Sequence, residues 1–488
     1  MSIHLTDKEA EIRESRLGSI TNFRGGAREL CMKSQAGTLV NEERRFTQCT
    51  SCSSTTAVCQ LSMIQDAAVV NHAPLGCAGD FSSFNFTNRN GQVKRGMKLQ
   101  NAHLLSSNLR ERDMIYGGAE RLKTALREAR DRFAPRAIFI TASCSSGIIG
   151  DDLESIASEA EPGLGVPVVP IHCEGFRSGV WATGFDAAYH GILSKIVKPA
   201  QNKRQDLVQI VNFWGSDIFT NLLGRIGLKV NYLVPFATIE QLEHLSEAAA
   251  IAQICPTLGT YLGVGLEQDF GVPEVKAPPP YGIAGTDAWL RALGRVVKRE
   301  KQVEALITEE KIRIGPELDK LREQLAGHSG FVGAGAGHGH GILCLLQDLG
   351  LKVAGACVWH HDPCLDSGDP EADSLSHLVN NYGDMPFGVC NKQSFEMANM
   401  LHHLHPDIFI VRHHGMAVWG AKLGIPTFLM GDEHFAVGYQ GLLNYGHKIA
   451  DTIANPAFIN NLASHSRLPY KPWWFDSDLD AFPGGEWF

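Results

Sequence analysis

The residues with the most chemical content are thiols. Cys49-Thr-Ser-Cys52 opens a series that continues through Cys59, Cys77 and Cys144. A CxxC pair suggests zinc or redox chemistry, but no second CxxC or HxxxH stands nearby to complete a zinc site. The later cysteines sit in unusual surroundings. Cys77 ends NHAPLGC, where Pro74 and Gly76 bend the chain straight after the apolar stretch Ala67–Val70. Cys144 lies in ASCSSGIIGDD, with Gly147 and Gly150 close behind it. Small residues around thiolates suit an iron–sulfur cluster, whose bulky, anionic sulfides are satisfied mainly by backbone N–H groups. On spacing alone, a cluster and buried structural cysteines are both open.

Imidazoles form a second group. His338 and His340 fall within VGAGAGHGHG, Val332–Gly341, between an expected strand and an expected helix. That is the context of a dinucleotide fingerprint, but the next strand, LKVAGACVWHH, brings no acidic residue at the right place. The glycines therefore read as tight strand-to-helix packing. The two imidazoles then stand at the carboxyl end of a strand, where α/β sheets bind ligands. His360-His361 and His413-His414 end two further strands.

Such groups need rigid elements behind them. Near-continuous apolar runs predict strands at Ala137–Thr141, Val166–Ile171, Leu207–Phe213, Lys229–Val234, Gly330–Val332, Val353–Val358, Ile408–Val411 and Thr427–Met430. Runs without alternation suit parallel strands buried on both faces. Between them lie helical patterns, such as Ala119–Phe133 with Leu122, Leu126, Ala129 and Phe133 on one stripe. Strand alternating with helix predicts an α/β fold of doubly wound sheets. A long helix is expected over Asp287–Thr308, with Gly315-Pro316 breaking and restarting it.

The 488 residues exceed a single core, and at about 150 residues per domain they suggest three. The polar stretch Lys198–Asp206 and the Pro-rich segment Val272–Tyr281 mark boundaries. The expected division is an N-terminal arm (1–29), α/β domains at 30–200 and 201–290, and a third domain with a C-terminal tail (291–488). With 53 acidic against 44 basic side chains, a net charge of −9 and 20% charged residues, the chain is neither disordered nor suited to nucleic acid. No run approaches the roughly 20 apolar residues of a bilayer span, and the N-terminus is acidic and polar, so no membrane association and a cytoplasmic location are expected. Twelve cysteines in that compartment are not a disulfide framework.

Several of these segments resemble those of nitrogenase α subunits. NHAPLGC is similar to their HGPxGC segment, and SCSSGIIGDD to CPxGLIGDD. DMIYGGAERL, Asp113–Leu122, resembles a DIVFGG-type stretch, and Cys173-Glu174-Gly175-Phe176-Arg177 resembles CEGFRG. Cys255, in AAAIAQICPTLGTYLGVGLEQDFGVP, resembles the cofactor-ligating cysteine. The correspondence runs from about residue 45 to 445. It implies three Rossmann-like domains, with parallel sheets flanked by helices, enclosing a cofactor. Cys52, Cys77 and Cys144 would be half of an eight-iron P-cluster (8Fe-7S), completed by three thiolates of a homologous β-type (K) subunit in an α2β2 assembly. Cys52 is preferred to Cys49 because its distance from Cys77 fits the family. Cys255 would bind one end of a larger iron–sulfur cofactor, faced by Arg177 and His338. Cys49, Cys59, Cys173, Cys344, Cys357, Cys364 and Cys390 are left to packing, and Cys31 lies in the arm.

Departures from the family pattern carry the substrate information. Where nitrogenases place a Gln and a His over the cofactor, the run here is SGVWATGFD, putting Trp181 and Phe185 at those positions. An apolar surface replaces a proton donor, which suits a hydrophobic substrate. The Arg-rich turn facing the cofactor becomes His338-Gly-His340-Gly, which questions homocitrate or points to a simpler all-iron cluster (8Fe-9S-C). His434 is the expected second protein ligand, with His360, His361, His413 and His414 as rivals. His340 or His434 would supply protons.

This combination looks most like the catalytic D subunit of the methylthio-alkane reductases. The resemblance implies anaerobic reductive cleavage of C–S bonds in small thioethers, releasing methanethiol and a hydrocarbon. Electrons would come from a separate ATP-dependent 4Fe-4S reductase protein, since this chain has no Walker A motif. A cofactor-assembly scaffold is the alternative. A protochlorophyllide-type tetrapyrrole reductase is another, against which Cys255 argues.

Overall fold

The computed structural model describes residues 2–41, 52–211, 214–390, 394–412, 414–431 and 436–476. In chain order the strands are β1 (Asn22–Gly26), β2 (Ala67–His72), β3 (Leu104–Ser106), β4 (Ala137–Ala142) and β5 (Val168–Ile171). Then come β6 (Arg204–Val211), β7 (Lys229–Leu233), β8 (Ala248–Gln253) and β9 (Glu274–Val275). The last are β10 (Ser329–Ala334), β11 (Lys352–Val358), β12 (Pro386–Cys390), β13 (Ile408–Val411) and β14 (Thr427–Leu429).

They form three sheets, ordered β3-β2-β4-β5, β7-β6-β8-β9 and β1-β12-β11-β10-β13-β14. Every pairing is parallel except β1 on β12. All six residues of β2 and of β4 are buried, as strands covered by helices on both faces require. The helix Ala119–Phe133 begins and ends where its apolar stripe does. It buries Leu122, Leu126 and Ala129 against Ile138 and Ile140 of β4. Each leucine so buried contributes about 1.5–3 kcal/mol.

Strand order decides where ligands can sit. In each sheet the chain winds first one way and then the other, leaving a crevice where the order reverses. The reversals fall between β2 and β4, between β6 and β8, and between β10 and β13. Leaving these strands at their carboxyl ends are the loops with Cys77 and Cys144, the segment with Cys255, and the turn with His338 and His340. The sheet topology thus accounts for cysteines and histidines at strand ends.

Contacts group the chain into two compact units. One holds residues 1–16, 51–254 and 258–275, and the other holds 17–50, 255–257 and 276–488. The first contains the sheets of β2–β5 and β6–β9. The second contains the six-stranded sheet, edged by β1. In the first unit, the buried Arg13 and Arg16 both pair with the buried Asp186, fastening the N-terminal segment to the helix Thr183–Lys195.

Some expectations need correction. The break before the third sheet is at 297–299, between the helices Gly282–Val296 and Glu300–Leu325, with Lys298 in the left-handed region. Gly315-Pro316 does not interrupt the second of these helices. Pro316 lies on its exposed face, where water can take the carbonyl that proline leaves unbonded, while Ile314, Leu318 and Leu321 keep the buried face continuous. β8 was hidden by its alanines, which read as helix formers, and β1, β3, β9 and β12 by short or glycine-containing sequences. Among the described residues, no helix is long and apolar enough to cross a membrane.

Candidate cluster and cofactor sites

In the first unit, three turns bring three thiols to one place. Cys52 caps the helix Ser53–Leu61, its sulfur accepting a hydrogen bond from the backbone N–H of Thr55 at 3.5 Å. Cys77 lies on the single turn Leu75–Ala78 that follows β2, and Cys144 begins the short helix after β4. Burial, then the nearby Cys52 and Cys144 thiols, push the Cys77 thiol above its ordinary value. Cys52 is half-buried, whereas Cys77 and Cys144 are exposed.

A fourth segment closes the cradle. The Ser53 hydroxyl donates to the carbonyls of Cys173 and Glu174, fixing the loop that carries Gly175. A Cβ at Gly175 would stand 3.1 Å from the Cys52 sulfur and 3.3 Å from that of Cys144. Only glycine leaves the space between these sulfurs open. Behind it, His72 Nε2 meets Asp151 at 2.9 Å, and Asp151 accepts from the Gly118 N–H at 3.0 Å. His72 Nδ1 reaches the Ser107 hydroxyl at 2.9 Å, so the end of β2 is braced to the segment after β3 and, through Asp151, to the one after β4. Among the described residues no three His, Cys, Asp or Glu side chains converge on a single ion. The space that Gly175 leaves between the Cys52 and Cys144 sulfurs, with Cys77 near both, suits a polynuclear group, and these residues fit one side of an iron–sulfur cluster.

The remaining expected residues of this unit lie on the loop after β5 and the helix beyond it. Arg177 is held by Glu9 and lies 3.5 Å from Glu174, so its charge is already paired. Trp181 is half-buried and stands edge-on to the buried Phe185, with ring centroids 5.6 Å apart. Of the other cysteines, Cys31, Cys173, Cys344, Cys357 and Cys390 are buried and Cys364 is exposed. Cys49 lies outside the described residues.

In the second unit, Cys255 is buried and packs on the helix Ala336–Asp348. A Cβ at Gly337 would lie 2.7 Å from its sulfur, and the Gly337 N–H donates to the Thr257 hydroxyl at 3.3 Å. The glycine run serves close packing: Gly339 approaches Val358 and Gly341 approaches Tyr281. His338 and His340 are buried, and each shares Nδ1 with a hydroxyl. Tyr281 meets His338 at 2.7 Å, and Ser374 meets His340 at 2.7 Å. Burial, then Arg412, hold the His338 imidazole well below its usual range; burial, then His361 and His360, do the same for His340. Both are neutral near pH 7. His360 and His361 are buried too, 3.4 Å from Asp362 and Asp366 respectively. A single buried cysteine beside a helix N-terminus and neutral imidazoles fits one attachment point of an iron–sulfur cofactor. His434 and His413 lie outside the described residues, as does the side chain of His414.

Ser374, Asp366 and Ser34 join the histidines in the second unit, and sequence reasoning missed them. Each comes from a different segment, and no motif connects them.

Comparison with known proteins identifies the family and the fold. The sequence model for nitrogenase component 1 type oxidoreductases matches residues 52–454. The nitrogenase molybdenum-iron protein alpha chain of Clostridium pasteurianum is 24% identical over 454 residues, covering 81% of this chain and 84% of that one. The nitrogenase iron-molybdenum cofactor biosynthesis protein NifE of the same organism is 27% identical over 418 residues, covering 82% and 86%. An alpha chain from Methanosarcina barkeri is 28% identical over 303 residues, and this match spans 56% of that chain's length. The solved structure of nitrogenase Cp1 at pH 5 superposes with a TM-score of 0.69 at 22% identity, covering 89% of this chain, and shares its fold. The chain belongs to the nitrogenase component 1 type oxidoreductase family.

Proposed function

We propose that the chain is the catalytic subunit of a nitrogenase-like reductase that cleaves the C–S bond of small thioethers. Two electrons and two protons convert a methyl thioether into methanethiol and the hydrocarbon of the other arm. What supports this reading is that the chain keeps Cys52, Cys77, Cys144 and Cys255 at positions resembling the family's cluster-binding cysteines, while Trp181 and Phe185 stand in the sequence where the nitrogenase pattern has Gln and His. When bound, an iron–sulfur P-cluster and cofactor would supply stored low-potential electrons.

The chain's own residues do the rest. Cys52, Cys77 and Cys144 hold one side of the P-cluster, and Cys255 holds one end of the cofactor. Trp181 and Phe185 present ring faces and edges to an alkyl thioether, a substrate with little hydrogen-bonding capacity. His338 and His340 replace fixed positive charge with neutral imidazoles, which favours a cofactor without a tricarboxylate ligand, such as an all-iron 8Fe-9S-C cluster. His434, which lies outside the described residues, would be the second protein ligand.

The thiol site also implies a partner. Leu75, Ile148 and Phe176, 65%, 79% and 60% exposed, flank the cysteines, with Phe176 reaching within 3.4 Å of the Cβ position of Gly147. Exposed apolar side chains around exposed thiols mark a surface that another subunit covers. A homologous β-type subunit in an α2β2 assembly, and an ATP-dependent 4Fe-4S reductase, complete the system.

The test is anaerobic assay of the purified complex with its reductase and ATP, measuring methanethiol from dimethyl sulfide or 2-(methylthio)ethanol. Steady turnover is expected. The similarity to NifE favours one competing role, a scaffold that assembles a cofactor and passes it on. Absence of turnover, together with transfer of the cofactor to an acceptor protein, would establish that role instead.

A further inference from the structure

Within the second unit, one chain of buried groups leads from the surface helix Ala27–Gln35 to His340. His340 Nδ1 lies 2.7 Å from the Ser374 hydroxyl, which lies 2.9 Å from Asp366 Oδ1. Asp366 Oδ2 accepts from the Asp362 N–H at 2.8 Å and stands 3.4 Å from His361 Nδ1, a contact that becomes a hydrogen bond only when the ring or the carboxyl turns. The far nitrogen of His361 meets the Ser34 hydroxyl at 3.0 Å, and Ser34 also contacts the Ser367 hydroxyl. His340, Ser374, Asp366 and His361 are all 1% exposed or less, while Ser34 is 8% exposed and its neighbour Gln35 is exposed.

The inner end of this chain is the informative one. His340 Nε2 is buried and has no hydrogen-bond partner among the described residues. It stands one helical turn beyond Gly337, the residue against which the Cys255 sulfur packs. A buried imidazole nitrogen is rarely left bare, since it loses its water without recompense. Its other nitrogen, by contrast, is tied to a carboxyl through a hydroxyl, an arrangement that fixes which nitrogen carries hydrogen.

The geometry points to a proton relay running from Ser34 through His361, Asp366 and Ser374 to His340, which releases protons from Nε2 to the substrate being reduced. This inference rests on the reading of the chain as a thioether reductase and adds the route by which its protons arrive. In the loaded state the Asp366 carboxyl donates to Ser374, Ser374 donates to His340 Nδ1, and Nε2 carries hydrogen. Delivery breaks the Asp366 O–H, Ser374 O–H and Nε2–H bonds. It forms a new Ser374 O–H, the Nδ1–H and the acceptor–H bond, leaving Asp366 a carboxylate. No electron moves along the relay. Solvent protons entering by Ser34 and His361 restore the carboxyl, and turnover of the imidazole with rotation of the hydroxyl resets the chain.

The charged surroundings favour a stored proton. Burial, then Asp362, push the Asp366 carboxyl well above its usual range, with Asp373 adding to the effect. The groups facing it are His361, Asp362, Asp373 and, through Ser374, His340. None is a fixed cation. His361 is itself held down to about 4 by burial, so of this facing pair it is the carboxyl whose hold on a proton the surroundings strengthen.

The test uses the anaerobic holoenzyme with its partner subunit and reductase. Ser374→Ala keeps both ends of the relay and removes its middle, and is expected to lower kcat by roughly tenfold to a hundredfold with KM unchanged. Ser374→Thr, which restores a hydroxyl, should recover most of that rate. A larger solvent deuterium isotope effect on kcat in Ser374→Ala is expected as well. Wild-type kcat and isotope effect in Ser374→Ala would overturn the relay. Infrared difference spectroscopy supplies a readout that needs no turnover. A buried carboxylic C=O band should be present at pH 7 in the wild type, shift in Ser374→Ala and vanish in Asp366→Asn, and its absence from the wild type would overturn the stored proton. If the wild type turns over no thioether, the substrate reading fails by itself, and the infrared result still decides the relay.

Discussion

The thiol site of the first unit and the histidine site of the second are built on the same plan and finished in opposite ways. Both stand at the reversal point of a parallel sheet, with glycine supplying the close approach. Yet Cys77 and Cys144 are exposed and flanked by exposed apolar side chains, whereas His338, His340, His361 and Asp366 are almost completely buried. The first site uses backbone turns to aim sulfurs outward. The second turns its polar atoms inward: hydroxyls meet His338, His340 and His361 on one side each, while His340 Nε2 is among the buried ring nitrogens that no hydrogen bond from the described residues reaches. A site that points outward is completed by another molecule, while one closed on itself needs a path through the protein for whatever it exchanges with solvent.

The largest effect should separate the two sites by function. Cys255→Ala is expected to reduce thioether turnover at least about a hundredfold while the spectroscopic signal of the P-cluster persists. Unchanged turnover would remove Cys255 from the cofactor. Next come the two glycines. A methyl at Gly175 meets Cys52 and Cys144, and one at Gly337 meets Cys255. Each should cost about 1–3 kcal/mol by overpacking. Iron analysis should show Gly175→Ala losing the shared cluster and Gly337→Ala losing the cofactor. Loss of the same iron from both would dissolve the distinction. A smaller effect on the chain itself is expected from Ile148→Asp with Phe176→Ser. Both side chains are exposed, so stability of the isolated chain should change by no more than about 0.5 kcal/mol each, while pairing measured by sedimentation weakens. A normal α2β2 assembly would show that the exposed rim is ordinary surface.

The difference between the sites also explains what could be read from sequence. The helix Ala119–Phe133 and strand β13 are visible because a stripe or an apolar run needs only its own residues. The thiol turns are visible for a related reason: Cys77 and Cys144 each follow a strand within a few residues, amid glycine and proline. The relay is not visible. Ser34 meets His361 across 327 positions and His340 meets Ser374 across 34, and a buried serine looks like any other until the fold brings it to a carboxyl. The helix runs unbroken through Gly315-Pro316, against the expected break, because local propensity carries no information about which face is exposed. Aromatic residues at Trp181 and Phe185 could be recognised as departures only against a family pattern.

The smallest predicted effect is a pH response belonging to the closed site alone. His361 has a folded value of about 4 against 6.5 for a free imidazole, so between these values the folded chain binds fewer protons than the unfolded one. Its contribution is complete above pH 6.5 and is lost as pH falls toward 4, amounting to about 2 kcal/mol by pH 5. Asp366 has the opposite sign: its raised value adds stability that is complete below 3.8 and fades as pH rises through the folded value. The wild-type curve mixes the two, and His361→Gln separates them. Urea midpoints at pH 7 and pH 5 should show the variant gaining on the wild type upon acidification. In the thiol site, Cys77 is shifted upward from 9.0, so replacing it with serine should leave the curve over this range unchanged. If wild type and His361→Gln fall in parallel, the imidazole takes up its proton inside the fold, and the second site is as open to solvent as the first.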